Sequence, residues 1–157
     1  MPTIHLTNFI AAPVERVFDL SRSISLHRKS MEKYDEEVLS GADSGLMEPG
    51  DRITWKAKHL GKKRILKVTI SAMDFPSSFT DEMLEGDFKM LQHEHYFRQV
   101  DNGTILIDIF HFEAPYGVLG KLFSKFYLTN YLRRLLELRN GAIKEYAEGN
   151  KWQLLLQ

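Results

Sequence analysis

No cysteine occurs among the 157 residues, which excludes disulfides, thiolate metal sites and a cysteine nucleophile, and fits a reducing compartment. Net charge is also missing: 21 Lys and Arg balance 21 Asp and Glu, so no overall positive field draws the chain to nucleic acid or an anionic membrane. The basic runs His27-Arg28-Lys29, Lys62-Lys63-Arg64 and Arg133-Arg134 are short and lack interleaved aromatics. They read as solvated faces, and nucleic acid is not an expected partner. There is no stretch of about 18 apolar residues, and Met1-Pro2-Thr3-Ile4-His5 opens without a basic segment followed by an apolar run. The expectation is a soluble, cytoplasmic protein without stable membrane insertion. Common catalytic templates are absent too: no Gly-x-Ser-x-Gly elbow, phosphate-binding glycine loop, Gly-x-Gly-x-x-Gly or His-Glu-x-x-His can be found.

What is present is ordinary globular material, 43% hydrophobic and 27% charged, in a length suited to one core. Residues 3–10 are rich in β-branched types and read as a strand; Ala11-Ala12-Pro13 ends it, and Pro13 suits the first position of a helix. Val14, Val17, Phe18 and Leu20 recur at helical spacing, and Ile24, Leu26 and Met31 suggest a second short helix. Gly41, Gly45, Pro49 and Gly50 make 34–51 mostly loop, with a short strand at 37–40. Five extended segments follow, at 52–60, 64–73, 78–85, 88–100 and 104–113, separated by turn signals such as Gly61, Pro76, Gly86-Asp87 and Asp101-Asn102-Gly103. Period-2 alternation sends Ile53, Trp55, Ala57 and His59 inward, then Leu66, Val68 and Ile70, then Leu91, His93, His95 and Phe97. In 104–113 both alternating sets are apolar, which suggests two buried faces. A helix is expected over 118–148, its stripe passing from Leu119, Leu122, Phe123 and Phe126 to Leu128, Leu132, Leu135, Leu136, Ile143 and Tyr146. The stripe rotates near Tyr127 to Asn130, where Thr129 or Asn130 suits a cap if the helix restarts. Residues 1–150 read as a single domain, and 151–157 as an apolar tail that packs on it or on a partner.

Particular marks carry a resemblance: Ala12-Pro13 with Val17-Phe18, Gly50-Asp51-Arg52-Ile53-Thr54-Trp55, Pro76 with Phe79 and Asp81-Glu82-Met83, Gly86-Asp87-Phe88 and His93-Glu94-His95-Tyr96-Phe97. Ala114-Pro115-Tyr116-Gly117 with Gly120, and Tyr131-Leu132-Arg133-Arg134-Leu135-Leu136-Glu137 through Arg139-Asn140, add to them. Taken with the element order, the chain resembles a bacterial branch of the START-like (SRPBCC) superfamily, of the polyketide cyclase/dehydrase and lipid-transport type. The resemblance spans nearly the whole chain. It implies an α+β helix-grip fold: a curved antiparallel sheet of six or seven strands wrapped around a long C-terminal helix, with two short helices after the first strand. It further implies a cavity between sheet and helix for an apolar or amphipathic small molecule. It implies no reaction, since one fold hosts many activities.

Polar residues on inward strand positions, namely His59, His93, His95, Asp108 and Asp81, must find partners, because an unpaired buried polar group costs a few kcal/mol. Two readings stand: a satisfied core network, or the polar end of an apolar cavity that orients a guest. A His and Asp pair there could also move protons. His93 and His95, at i and i+2, can reach one ion with His59 or Asp108, yet no third-ligand spacing is recognisable, so neither metal nor cofactor is expected. Trp55, Phe79, Met83, Phe97, Phe110 and Phe112 supply apolar surface. The candidate ligand-binding set is therefore Trp55, His59, Phe79, Met83, His93, His95, Phe97, Asp108, Phe110 and Phe112, with no catalytic residue assigned. Should Ile105, Ile107 and Ile109 face outward, they suggest a homodimer, unless the tail from Trp152 to Leu156 covers them. The leading expectation is binding of a small hydrophobic or amphipathic ligand, as carrier or sensor. The alternatives are a cyclase/dehydratase-like enzyme using a cavity His/Asp pair, and a protein-interaction module with a vestigial cavity.

Overall fold

The computed structural model describes residues 2–114 and 124–156, and its elements follow the punctuation of the chain. β1 (Thr3–Ile10) ends before Ala11, and Pro13 takes an extended backbone as the N-cap of α1 (Val14–Ser21). The helix thus begins one residue after Pro13, not on it. Ser23 caps α2 (Ile24–Ser30), its hydroxyl accepting from Leu26 N at 3.2 Å and so satisfying an amide that the first turn leaves unpaired. A 3-10 turn, Glu32–Tyr34, leads into β2 (Glu37–Ser40), β3 (Arg52–His59), β4 (Lys62–Asp74), β5 (Ser78–Glu85), β6 (Met90–Val100) and β7 (Gly103–Glu113). These are the strands read from the sequence, with some ends shifted by one or two residues.

All the strands form one antiparallel sheet in the order β1-β7-β6-β5-β4-β3-β2. The two-residue β3–β4 turn holds Leu60 at φ 55° and Gly61 at φ 76°, as a tight hairpin with two left-handed positions requires. At the β6–β7 turn the constraint is space, because a Cβ on Gly103 would collide with the Ile10 carbonyl and lie 2.9 Å from Ala11 Cα. Register shifts between Lys67 and Val68 and between Ile70 and Ala72 mark bulges in the β4–β5 pairing, which bend and twist the sheet toward its concave face.

The alternation decides which side chains meet. Ile53, Trp55, Ala57, Val68, Ile70, Leu91, His93, His95 and Phe97 are buried. On β7 the buried set is Leu106, Asp108, Phe110 and Phe112, while Ile105, Ile107 and Ile109 are only half-buried on the other face. β7 therefore has one buried face and not two.

Ser124–Leu128 is a π-helical turn that runs directly into α3 (Thr129–Glu148). Phe126, expected in the apolar stripe, is exposed here. Neither Thr129 nor Asn130 caps a restart: Leu128 is itself helical, and Asn130 Nδ2 donates to the Phe126 carbonyl at 3.0 Å. Residues 118–123 of the expected helix, with Leu119, Leu122 and Phe123, lie outside the described residues.

α3 joins two apolar clusters. Its Leu128, Leu132 and Leu136 pack with Ile4, Leu91, Phe110 and Phe112, whereas Ile143, Tyr146 and Ala147 pack with Ile10, Phe18, Leu106 and the α1–α2 residues. Burying each such side chain contributes about 1.5–3 kcal/mol. Trp152, Leu155 and Leu156 pack against the second of these groups, and the Arg16 guanidinium lies 4.0 Å over the Trp152 ring. Among the described residues no helix is long and apolar enough to cross a membrane.

Candidate ligand cavity

The sheet does not close fully on α3. A cavity of about 480 Å³ remains, within the range typical of small-molecule sites. Its wall is mainly apolar: Met31, Met47, Trp55, Ala57, Val68, Ile70, Phe79, Leu91 and Phe110 face Leu128, Leu132, Leu135 and Leu136 of the helix. Leu60 and Ile65 also line it and reach solvent, which marks the open side. There His59 Nδ1 lies 2.8 Å from the Tyr131 hydroxyl, and Arg64 donates to the His59 carbonyl at 3.0 Å and to Asp87 at 2.8 Å. Elsewhere in the wall His27 stacks on Trp55, ring centroids 4.4 Å apart, with its Nδ1 2.6 Å from Glu36 Oε1.

The densest polar group lies where α3 passes between its two apolar clusters. Leu132, Leu136, Ile143 and Ala147 trace the buried stripe, and Arg139 and Asn140 fall on the same stripe. Asn140 Nδ2 donates to Asp108 Oδ2 at 2.6 Å and to Asn8 Oδ1 at 2.9 Å. Arg139 donates to the Ser21 carbonyl at 2.9 Å and to Asn140 Oδ1 at 3.0 Å, with its Nη1 3.6 Å from Asp108 Oδ1. From the sheet, His93 Nε2 lies 2.7 Å from Asp108 Oδ1, and His95 Nε2 lies 2.7 Å from Asp81 Oδ2. The two imidazoles stack with centroids 3.7 Å apart, and Phe79 stacks on the far side of His95 at 4.1 Å. Strand register explains the meeting: Asp81 pairs with His93 across β5–β6, and His95 with Asp108 across β6–β7.

Burial disfavours the charged form of each of these groups, and only partners can offset it. For Asp108, burial acts upward, but the bonds from His93 and His95 and the nearby Arg139 charge hold the carboxyl well below its ordinary range. Asp81 follows the same logic through its His95 hydrogen bond and lies below its ordinary value. His93 goes the other way from a free imidazole: burial, and then its neighbour His95, bring it down to about 4 against the pull of Asp108. Burial also lowers His59. Asp81, His93 and His95 bring one potential metal-ligating atom each within 4.8 Å of one another. Both Nε2 atoms already serve carboxylates, however, and Arg139 lies 3.4 Å from His95 Nδ1, so a cation is already present beside that space.

Of the candidate residues, Trp55, His59, Phe79, His93, His95 and Phe110 line the cavity. Asp108 is fully buried behind His93, Phe97 and Phe112 lie in the packed core, and Met83 is partly buried against the Phe110–Phe112 cluster. Asp81 lines the cavity as well. The residues that pattern reading missed as site residues are Arg139, Tyr131 and the His27–Glu36 pair. Arg139 carried a signal, a charged residue in register with a buried helical stripe; the His27–Glu36 pair carried none, since only the tertiary fold brings a helix and the loop before β2 together.

No protein-family model matches the sequence, and no curated protein matches it either. Solved structures do. The chain is similar to the protein TTHA0849 from Thermus thermophilus, with a TM-score of 0.73 and 19% identity over 99% of this chain and 100% of that one. It is similar to a START superfamily protein from Mycobacterium smegmatis, with a TM-score of 0.71 and 13% identity over 93% and 97%. A third likeness is to the ginseng major latex-like protein 151 from Panax ginseng, with a TM-score of 0.70 and 15% identity over 94% and 98%. The architecture is thus the START-like helix-grip fold, as the sequence marks imply. At these identities the likeness is one of fold.

Proposed function

We propose that this protein binds one small hydrophobic or amphipathic molecule between the sheet and α3, as a carrier or sensor, without chemistry. The observation that carries this reading is the cavity itself: about 480 Å³ left open in an interior that packs Phe18 against Phe79 and Phe97 at ring distances of 4.9–5.3 Å. Folded interiors close voids of this size because each unfilled volume forfeits packing energy, so a retained one needs a use. The wall suits an apolar body, and the His93–His95–Asp81 pole suits a polar end.

The direct experiment is titration with the neutral fluorophore N-phenyl-1-naphthylamine. Saturable enhancement at one probe per chain is expected, and Ala57→Phe, which places a ring in the cavity wall, should weaken it at least tenfold while the chain stays folded. Absence of saturable binding, or equal binding by the variant, would contradict the reading.

A second reading, a cyclase/dehydratase-like enzyme, has one observation in its favour, a cavity-lining His93 paired with the buried Asp108 behind it. An imidazole brought down to about 4 is a weak base at neutral pH, whereas general-base catalysis works best with a group titrating near the operating pH. That places binding first.

A further inference from the structure

We infer that the ligand's polar end is a hydrogen-bond donor without negative charge, a hydroxyl or an ammonium, seated on Asp81 and His93, and that carboxylates and phosphates are rejected. The inference rests on the binding reading above and names the chemistry of its polar end.

Asp108 is an ionised carboxylate with no proton to give, so His93 must donate its Nε2 proton across their 2.7 Å contact. That fixes the tautomer and leaves Nδ1 with a lone pair. Nδ1 has no partner among the described residues, although the side chain is only 6% exposed and lines the cavity. Asp81 spends Oδ2 on His95; its Oδ1 has no partner among the described residues, and its side chain, 22% exposed, lines the same wall. The pole therefore offers two open acceptors.

The Arg139 Nη and Asn140 amide donors nearby are engaged. Arg139 gives its Nη groups to the Ser21 carbonyl and Asn140 Oδ1, and its charge faces Asp108. Asn140 gives its amide to Asn8 and Asp108. The two carboxylates are met by the Arg139 guanidinium and by the His93 and His95 imidazoles. An anionic head would lie against the Asp81 carboxylate, while the Arg139 charge already faces Asp108. A hydroxyl or ammonium head instead gives these two acceptors a donor.

The test compares three probes with the same chain, 1-decanol, decylamine and decanoate, by isothermal titration calorimetry below their micellar concentrations. Decanol and decylamine should each bind at least tenfold more tightly than decanoate. Asp81→Asn keeps an oxygen for His95 Nε2 but removes the charge, and should reduce the preference for decylamine over decanoate to less than threefold. Equal or tighter binding of decanoate by the unmodified protein would overturn this proposal while leaving cavity binding intact. A preference unaltered by folded Asp81→Asn would overturn the placement of the head. Binding of none of the three would overturn the binding reading and this one with it. The ranking on the unmodified chain decides the matter even if the variant fails to fold.

Discussion

Replacing Asp108 with alanine tests whether the buried polar group is structural cement as well as cavity wall. The Asp108 side chain is fully buried, accepts from Asn140 Nδ2 at 2.6 Å and His93 Nε2 at 2.7 Å, and faces His95 Nδ1 at 3.3 Å and Arg139 Nη1 at 3.6 Å. Its removal leaves Arg139 as a buried cation with only neutral acceptors, and leaves two donors without their acceptor. Breaking a buried charge pair in this way costs about 3–5 kcal/mol. For a chain of this length each kcal/mol corresponds to about 2–4 °C in melting temperature, so Tm should fall by roughly 6–20 °C. The comparison is Asp87→Ala, which breaks the Arg64 pair at 2.8 Å where Asp87 is 55% exposed; such a surface pair is worth about 0–1 kcal/mol. Both variants are measured by urea unfolding followed by far-UV circular dichroism. A loss below about 1 kcal/mol for Asp108→Ala, or one equal to that of Asp87→Ala, would refute the reasoning.

Other consequences are open to measurement. His93 sits near 4 in the folded chain against an ordinary value of 6.5, so below pH 6.5 the unfolded chain takes up a proton that the folded chain does not. Stability should therefore be lost as pH falls from about 6.5 to about 4, by about 3 kcal/mol in all, and His93→Gln should flatten that slope; an unchanged slope would count against the assignment. Asp81 and Asp108, held below their ordinary value of 3.8, contribute stability that is present above that value and is lost as pH falls through their folded values, so the acid limb should steepen below about pH 4. Ala57→Phe should cost less than about 1 kcal/mol because it fills existing space, whereas a well-packed site would lose about 1–3 kcal/mol by overpacking. Trp152→Ala removes the ring under Arg16 and should cost about 1–3 kcal/mol while exposing the tail to limited proteolysis; unaltered cleavage would show that the tail is not held there.

Much of this architecture is readable before folding because its determinants are local. Gly61 and Asn102-Gly103 require turns, and alternation along 52–60 and 88–100 separates core from solvent one residue at a time. The signal weakens where locality ends. On β7 both alternating sets are apolar, so pattern alone cannot orient the strand; pairing with β1 and β6, which brings His95 opposite Asp108, does. The site divides in the same way. His93, His95 and Asp108 stand out as polar residues on buried faces, and Arg139 interrupts an apolar stripe, but nothing in their spacing says that α3 lays its guanidinium over two strands distant in sequence. His27 and Glu36 carry no pattern because they meet through tertiary packing alone. Cavity volume is least legible of all, being the difference between what the curved sheet encloses and what its side chains fill.

The central claim, that the space between sheet and helix exists to hold a small molecule, is tested most directly by native mass spectrometry of the protein purified from its own source cells, followed by denaturing extraction. One apolar or amphipathic molecule per chain is expected, released on unfolding and carrying a hydroxyl or amine. A bare chain that also fails to take up N-phenyl-1-naphthylamine would contradict it.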